Sequence, residues 1–160
     1  MRLCLQCKFV RYSKQKGLCP NCGNRLVQVD GRLRKVVESL AKSDYQIAFA
    51  NCETYTIPNM FSVQIVIGFI IPYDAFVFQD LPEYFIFTTD KHGYQHPYAL
   101  SYVLNHTGSR MSMLSYECYG DPFRHTSAEH ELKIAISELY KWAKTIEENK
   151  WFVYKLGGWL

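Results

Sequence analysis

Residues 4–23 read CLQCKFVRYSKQKGLCPNCG. Two CxxC pairs, Cys4-Leu5-Gln6-Cys7 and Cys19-Pro20-Asn21-Cys22, stand eleven residues apart, and Gly23 follows the second. Two intervening residues let both thiolates of a pair face one ion. The spacer is long enough for a hairpin that closes the pairs around a tetrahedral centre. The spacing predicts one structural zinc ion on Cys4, Cys7, Cys19 and Cys22. A rubredoxin-like iron and a redox dithiol or disulfide are the alternatives. Four cysteine ligands leave no open coordination position, so no catalytic residue is assigned to the metal. Gly23 stands where a chain turning under a metal needs positive φ.

Outward from this stretch, the chain has 160 residues, enough for one ordinary domain and a small appendage. A hydrophobic fraction of 48% and an aromatic fraction of 16% are those of a folded protein, and the aromatic content suits a sheet. No apolar run follows the first basic residue as in a signal peptide. The longest apolar run, Ile65 to Ile71, is far short of the roughly 20 residues that span a bilayer. The expectation is a soluble cytoplasmic protein with no membrane partner, in which paired cysteines hold metal.

Charge is unevenly placed. Residues 1–35 carry nine Lys and Arg against one acid, Asp30, a formal balance of +8. The remainder carries nine basic and fourteen acidic residues, a balance of −5. Four thiolates and a divalent ion bring the head to about +6. Lys8, Arg11, Lys14, Lys16 and Arg25 surround the cysteines and form a candidate nucleic-acid-binding set, because basic side chains neutralise phosphates. Phe9 and Tyr12 lie among them, either to stack on bases or to fill the ribbon's small core. The same charges also suit an acidic protein surface, on another protein or in a homo-oligomer.

The segment 1–29 is too small to fold on burial alone, which marks it as a zinc ribbon stapled by its metal. Residues 30–160 form an α+β domain. Asp30 is a candidate N-cap, and Leu33, Val36, Val37, Leu40 and Ala41 trace one helix face that ends near Ser43. Strand-like runs follow over Tyr45–Cys52, Ser62–Ile71, Tyr84–Thr89, Tyr98–Leu104 and Met111–Tyr119, with turn residues between them at Pro58-Asn59 and around Gly93. Ile65–Ile71 reads as a central strand buried on both faces. Thr126 and Glu129 fit a capping box that opens a second helix, with Leu132, Ile136, Leu139, Ala143 and Ile146 as its stripe. The aromatic tail Trp151–Leu160 adds a strand or packs across the core. The fold expected is a ribbon followed by a mainly antiparallel sheet of about five strands against two helices.

His92 and His96, with Asp121, His125, Glu129 and His130, are the candidate second metal site of a hydrolase. Their placement in a turn, before Pro97 and at a helix start fits scattered surface histidines better. Cys52 and Cys118 read as small buried hydrophobes, and no GxGxxG, P-loop, GxSxG or HExxH motif occurs.

The Cys4/Cys7/Cys19/Cys22 head, Val37-Glu38-Ser39-Leu40 leading to Asp44-Tyr45 and Cys52, Leu81-Pro82-Glu83-Tyr84-Phe85, and the helix from Glu131-Leu132 through Trp142-Ala143 together form the pattern that carries a resemblance. In this pattern the chain resembles small uncharacterised zinc-ribbon-headed proteins of bacterial and phage origin. Where they tend to have Gly before the Tyr and Gly-His after the Cys, this chain has Asp44 and Glu53-Thr54. The resemblance implies an α+β architecture and a phage or mobile-element origin, and it implies no activity. The expectation is a non-enzymatic binding protein. A His-based metal-dependent hydrolase and a phage-borne inhibitor of a host protein are the alternatives.

Overall fold

The structure is a computed structural model that describes residues 1–13, 15–71, 73, 78–88, 112–121 and 127–148. The expected strand Tyr98–Leu104, the turn at Gly93 and the tail Trp151–Leu160 lie outside the described residues.

The longest ladder is a hairpin. β4 (Ile47–Ile57) and β5 (Met60–Phe69) pair antiparallel, and Ile57 opposes Met60 across the Pro58-Asn59 turn. Proline cannot donate to a ladder, so the strands end there. β7 (Ser112–Gly120) pairs with the other side of β5, and β6 (Phe85–Thr88) pairs with β7. β5 is thus interior, and Ile65, Val66, Ile67 and Phe69 are buried on both of its faces. The glycines on this sheet are matched to aromatic partners. A Cβ on Gly68 would stand 2.4 Å from the ring of Phe49, its neighbour in register.

The described part is α+β, with one seven-stranded mixed sheet in the order β2-β1-β3-β4-β5-β7-β6. That exceeds the five strands expected. The excess comes from the N-terminal segment, whose strands β1 (Arg2–Leu3), β2 (Val10–Arg11) and β3 (Val27–Val29) join the same sheet. β3 pairs parallel with β4. Parallel neighbours need a crossover, and the helix after β3 supplies it.

That crossover begins at Asp30, whose carboxylate accepts from the Arg32 amide at 3.0 Å and caps a 3₁₀ turn, Gly31–Leu33. Helix α1 (Arg34–Lys42) follows and buries Val36, Val37 and Leu40. It ends in a Schellman motif: Tyr45 N–H donates to Leu40 O and Asp44 N–H to Ala41 O, with Asp44 at φ 65°. Helix α2 (Ala128–Glu148) is opened by Ser127, whose hydroxyl accepts from the His130 amide at 3.2 Å. The cap is therefore Ser127, one residue later than the box expected on Thr126, which lies outside the described residues. Glu129 faces outward instead, accepting from the Thr54 hydroxyl at 3.0 Å. No helix among the described residues is long and apolar enough to cross a membrane.

Both helices pack on one sheet face. Leu33, Val36, Val37 and Leu40 from the α1 side and Leu132, Ala135, Leu139 and Ala143 from α2 share one core with Val63, Ile65, Ile67 and Leu114. Leu3, Val27 and Val29 belong to this core as well, which ties the N-terminal strands to the body.

Candidate metal centre

Two short loops build the cysteine cluster. In the first, Lys8 N–H donates to Cys4 O at 2.8 Å, and the Cys7 amide points at Cys4 Sγ at 3.3 Å. In the second, Gly23 N–H donates to Cys19 O at 2.9 Å. Both loops reverse through a left-handed residue, Gly23 at φ 74° as expected and Lys8 at φ 58°. Nothing in the sequence distinguishes Lys8 for that conformation.

The sulfurs of Cys4, Cys7, Cys19 and Cys22 lie within 4.8 Å of one another, and Cys4 and Cys22 stand 3.5 Å apart. Metal–sulfur bonds of about 2.3 Å in a tetrahedron require sulfurs about 3.8 Å apart, so the cluster has the dimensions of a metal site. Among the described residues it is the one such cluster. The first cysteine of each pair is buried and the second is exposed. Cys22 beside it, through hydrogen bonding, pushes the Cys7 thiol up to about 12. At Cys19 burial also raises the thiol, but hydrogen bonds from the amides of Asn21 and Cys22 outweigh it and bring the thiol down to about 7. A metal ion is bound by thiolates, so binding here releases the protons that the thiols carry. The hydrophobic support is small: Cys4, Cys19 and Leu26 are buried, with Phe9 packed on them.

The expected basic set is dispersed over this head. Lys8 and Lys16 are exposed, Arg25 is exposed on the second loop's exit, and Arg11 lies half-buried on β2. Lys14 lies outside the described residues. Phe9 and Tyr12 separate: Phe9 fills the small core, and Tyr12 is 84% exposed.

Of the histidine set, His92, His96 and His125 lie outside the described residues, and His130 is exposed on the first turn of α2. Cys52 is buried in the main core, where burial and then the Asp30 charge push its thiol up to about 12. A thiol so protonated is a poor nucleophile. A cluster missed in the sequence lies beside it. Arg32 meets the Asp30 carboxylate at 3.0 Å, the Cys52 carbonyl at 3.2 Å and Glu129 at 3.8 Å. Its members are spread from 30 to 129, and it joins the crossover, β4 and the start of α2.

Fold and site together define an α+β sheet protein with a four-cysteine cluster of metal-site dimensions at one sheet edge. No protein-family model, curated protein or solved structure matches the chain.

Proposed function

We propose that the four cysteines hold one structural zinc ion, and that the basic ribbon it folds binds single-stranded nucleic acid. In this reading Lys8, Arg11, Lys14, Lys16 and Arg25 neutralise phosphates, and Tyr12 stacks on an unpaired base. The ion serves the fold, since an all-cysteine set leaves no position for substrate. The observation that carries the reading is Tyr12, 84% exposed next to Arg11 while its neighbour Phe9 is taken by the core. An exposed aromatic ring beside Arg11, with Lys8 and Lys16 exposed on the same head, suits a base better than it suits an acidic protein surface, which needs the charges alone.

Elemental analysis is expected to find one zinc per chain, lost in Cys7→Ser. Fluorescence anisotropy with a labelled oligonucleotide is expected to show binding that weakens with salt, by a log–log slope of about −0.7 per phosphate neutralised. Tyr12→Ala is expected to cost about 1–3 kcal/mol of binding, and Tyr12→Phe far less. Absent or salt-insensitive binding at low ionic strength would remove the nucleic-acid reading and leave the zinc assignment to its own test.

A further inference from the structure

Where β3 leaves the sheet, an edge opens along β4. The last pair between the two strands is Val29 with Ala50, after which the chain turns at Asp30 into the 3₁₀ turn. Beyond that pair β4 runs on to Ile57 with β5 as its one neighbour among the described residues. Asp30 N–H donates to Ala50 O at 2.9 Å, so this carbonyl faces the β3 side. The side to which a residue turns its main-chain groups alternates along a strand. From Phe49 to Ile57 the register with β5 is unbroken. Cys52, Thr54 and Thr56 therefore turn their N–H and C=O groups to the open side, and Asn51, Glu53, Tyr55 and Ile57 turn theirs to β5. The turn agrees, since Ile57 and Met60, which close its two-residue loop, are the pair that such a loop bonds.

The edge has definite ends. Arg32 Nη2 donates to Cys52 O at 3.2 Å at one end, and Pro58, which has no N–H, stands at the other. Between them the main-chain groups of Thr54 and Thr56 have no hydrogen-bond partner among the described residues. An open groove of about 640 Å³ lies beside this edge and touches both sheet faces, Thr54 on one and Tyr55 on the other. Thr56 is exposed, and Tyr55 is 66% exposed. Free edges are commonly guarded by lysine, by proline or by a bulge. Cys52–Ile57 has no basic residue, no proline and no break in register.

We propose that this edge pairs antiparallel with the same edge of a second copy, about a two-fold axis at Tyr55. In that register Thr54 lies opposite Thr56 of the second copy, and Thr56 opposite its Thr54. Residues so placed exchange both N–H···O bonds, so the four free groups on each copy are all used. Cys52 comes opposite Pro58, which sets the position without a donor against a carbonyl that Arg32 already serves. Tyr55 meets its own counterpart at a position where side chains come closest and aromatic pairs are favourable. Glu53 comes opposite Ile57, so no charge faces a like charge. A foreign strand would have to match this short interval by its own sequence, whereas the two-fold axis matches it by symmetry. The pairing is independent of the nucleic-acid reading, because it uses no residue of the ribbon.

Four hydrogen bonds and one aromatic pair make an interface smaller than the roughly 1,200 Å² of stable complexes, so the dissociation constant is expected at about 10 μM to 1 mM. Sedimentation equilibrium of the full, metal-loaded chain with its thiols kept reduced is expected to show monomer and dimer in exchange. Tyr55→Lys and Tyr55→Glu are each expected to weaken the dimer at least about tenfold, since like charges then face each other, and their equimolar mixture to restore it. Hydrogen exchange reads the wild type directly. The Thr54 and Thr56 amides are expected to slow as concentration rises, while those of Glu53 and Tyr55, bonded to β5, stay unchanged. Wild type that remains monomeric to about 1 mM overturns the inference. So does a dimer that leaves the Thr54 and Thr56 amides fast, or one that both charge variants leave intact, because it forms elsewhere. A mixture that restores nothing overturns the two-fold register.

Discussion

Asp44 stands at φ 65° at the residue that ends α1, in a conformation where a Cβ is unfavourable and glycine is the usual occupant. Aspartate tolerates it better than most residues, at a cost. Asp44→Gly is therefore expected to raise stability by about 0.5–1 kcal/mol, read as a higher denaturation midpoint at unchanged slope. A lower midpoint would mean that the carboxylate matters more than the backbone. Asp30 carries the opposite sign. Burial disfavours its charge, but the side chain and amide of Arg32 outweigh that and hold the carboxyl below its ordinary value. A depressed folded pKa contributes stability above the unfolded value, about 3.9, and loses it as pH falls through the folded one. Asn keeps the cap and removes the charge, so Asp30→Asn isolates the ion pair. With Arg32 45% exposed, the pair is expected to contribute about 0.5–1 kcal/mol at neutral pH. The difference from wild type should shrink below about pH 4 in unfolding measured across pH.

Single elements are held by unequal means. α1 and α2 each carry an apolar stripe and a side-chain or backbone stop, local signals that made both readable from sequence. The segment at Phe78 has no such pattern. It is held because its ring lies 5.1 Å from Tyr45, 5.2 Å from Phe69, 4.2 Å from Phe87 and 5.9 Å from Trp142. The indole of Trp142 also donates to Gln79 O at 3.0 Å and clamps the segment to α2. Phe78→Ala is expected to cost about 3–5 kcal/mol, since it empties the centre of an aromatic cluster. Tyr45 in the same cluster is the contrast. Its hydroxyl is buried with no hydrogen-bond partner among the described residues. Tyr45→Phe is expected to be neutral or stabilising, because deleting an unsatisfied polar group removes a desolvation cost without opening a cavity. Parallel denaturation curves for the two variants check both signs at once.

At the scale of the molecule, the cysteine cluster was legible because metal geometry dictates spacing, and the β4–β5 hairpin because Pro58-Asn59 interrupts two strand-like runs. The joining of head and body was not. β1 and β2 have two residues each and β3 three, too few for any periodicity, and their pairing is set by the metal-sized cluster and by the crossover through α1. Arg2 and Arg11 likewise stand opposite each other on β1 and β2 only through register, which no spacing rule reports. This joining has a consequence for stability. Val29 N–H donates to Met1 O at 3.0 Å, and Asp30 N–H to Ala50 O at 2.9 Å, so one continuous ladder runs from the cysteine loops to the β4–β5 hairpin. Leu3, Val27 and Val29 sit in the same core as α1 and β5. A ribbon on a flexible tether would lose its metal without disturbing its neighbour. Here the loss should be felt by the whole chain, by about 4 kcal/mol where free metal stands a thousandfold above its dissociation constant. Chelation, or Cys7→Ser, is accordingly expected to lower the midpoint of a single thermal transition. It should also speed hydrogen exchange at Val29 and Asp30 as well as in the loops. A body transition that stays in place while only loop amides exchange faster would show the ribbon to be an independent unit, and the shared sheet to be too weak to couple them.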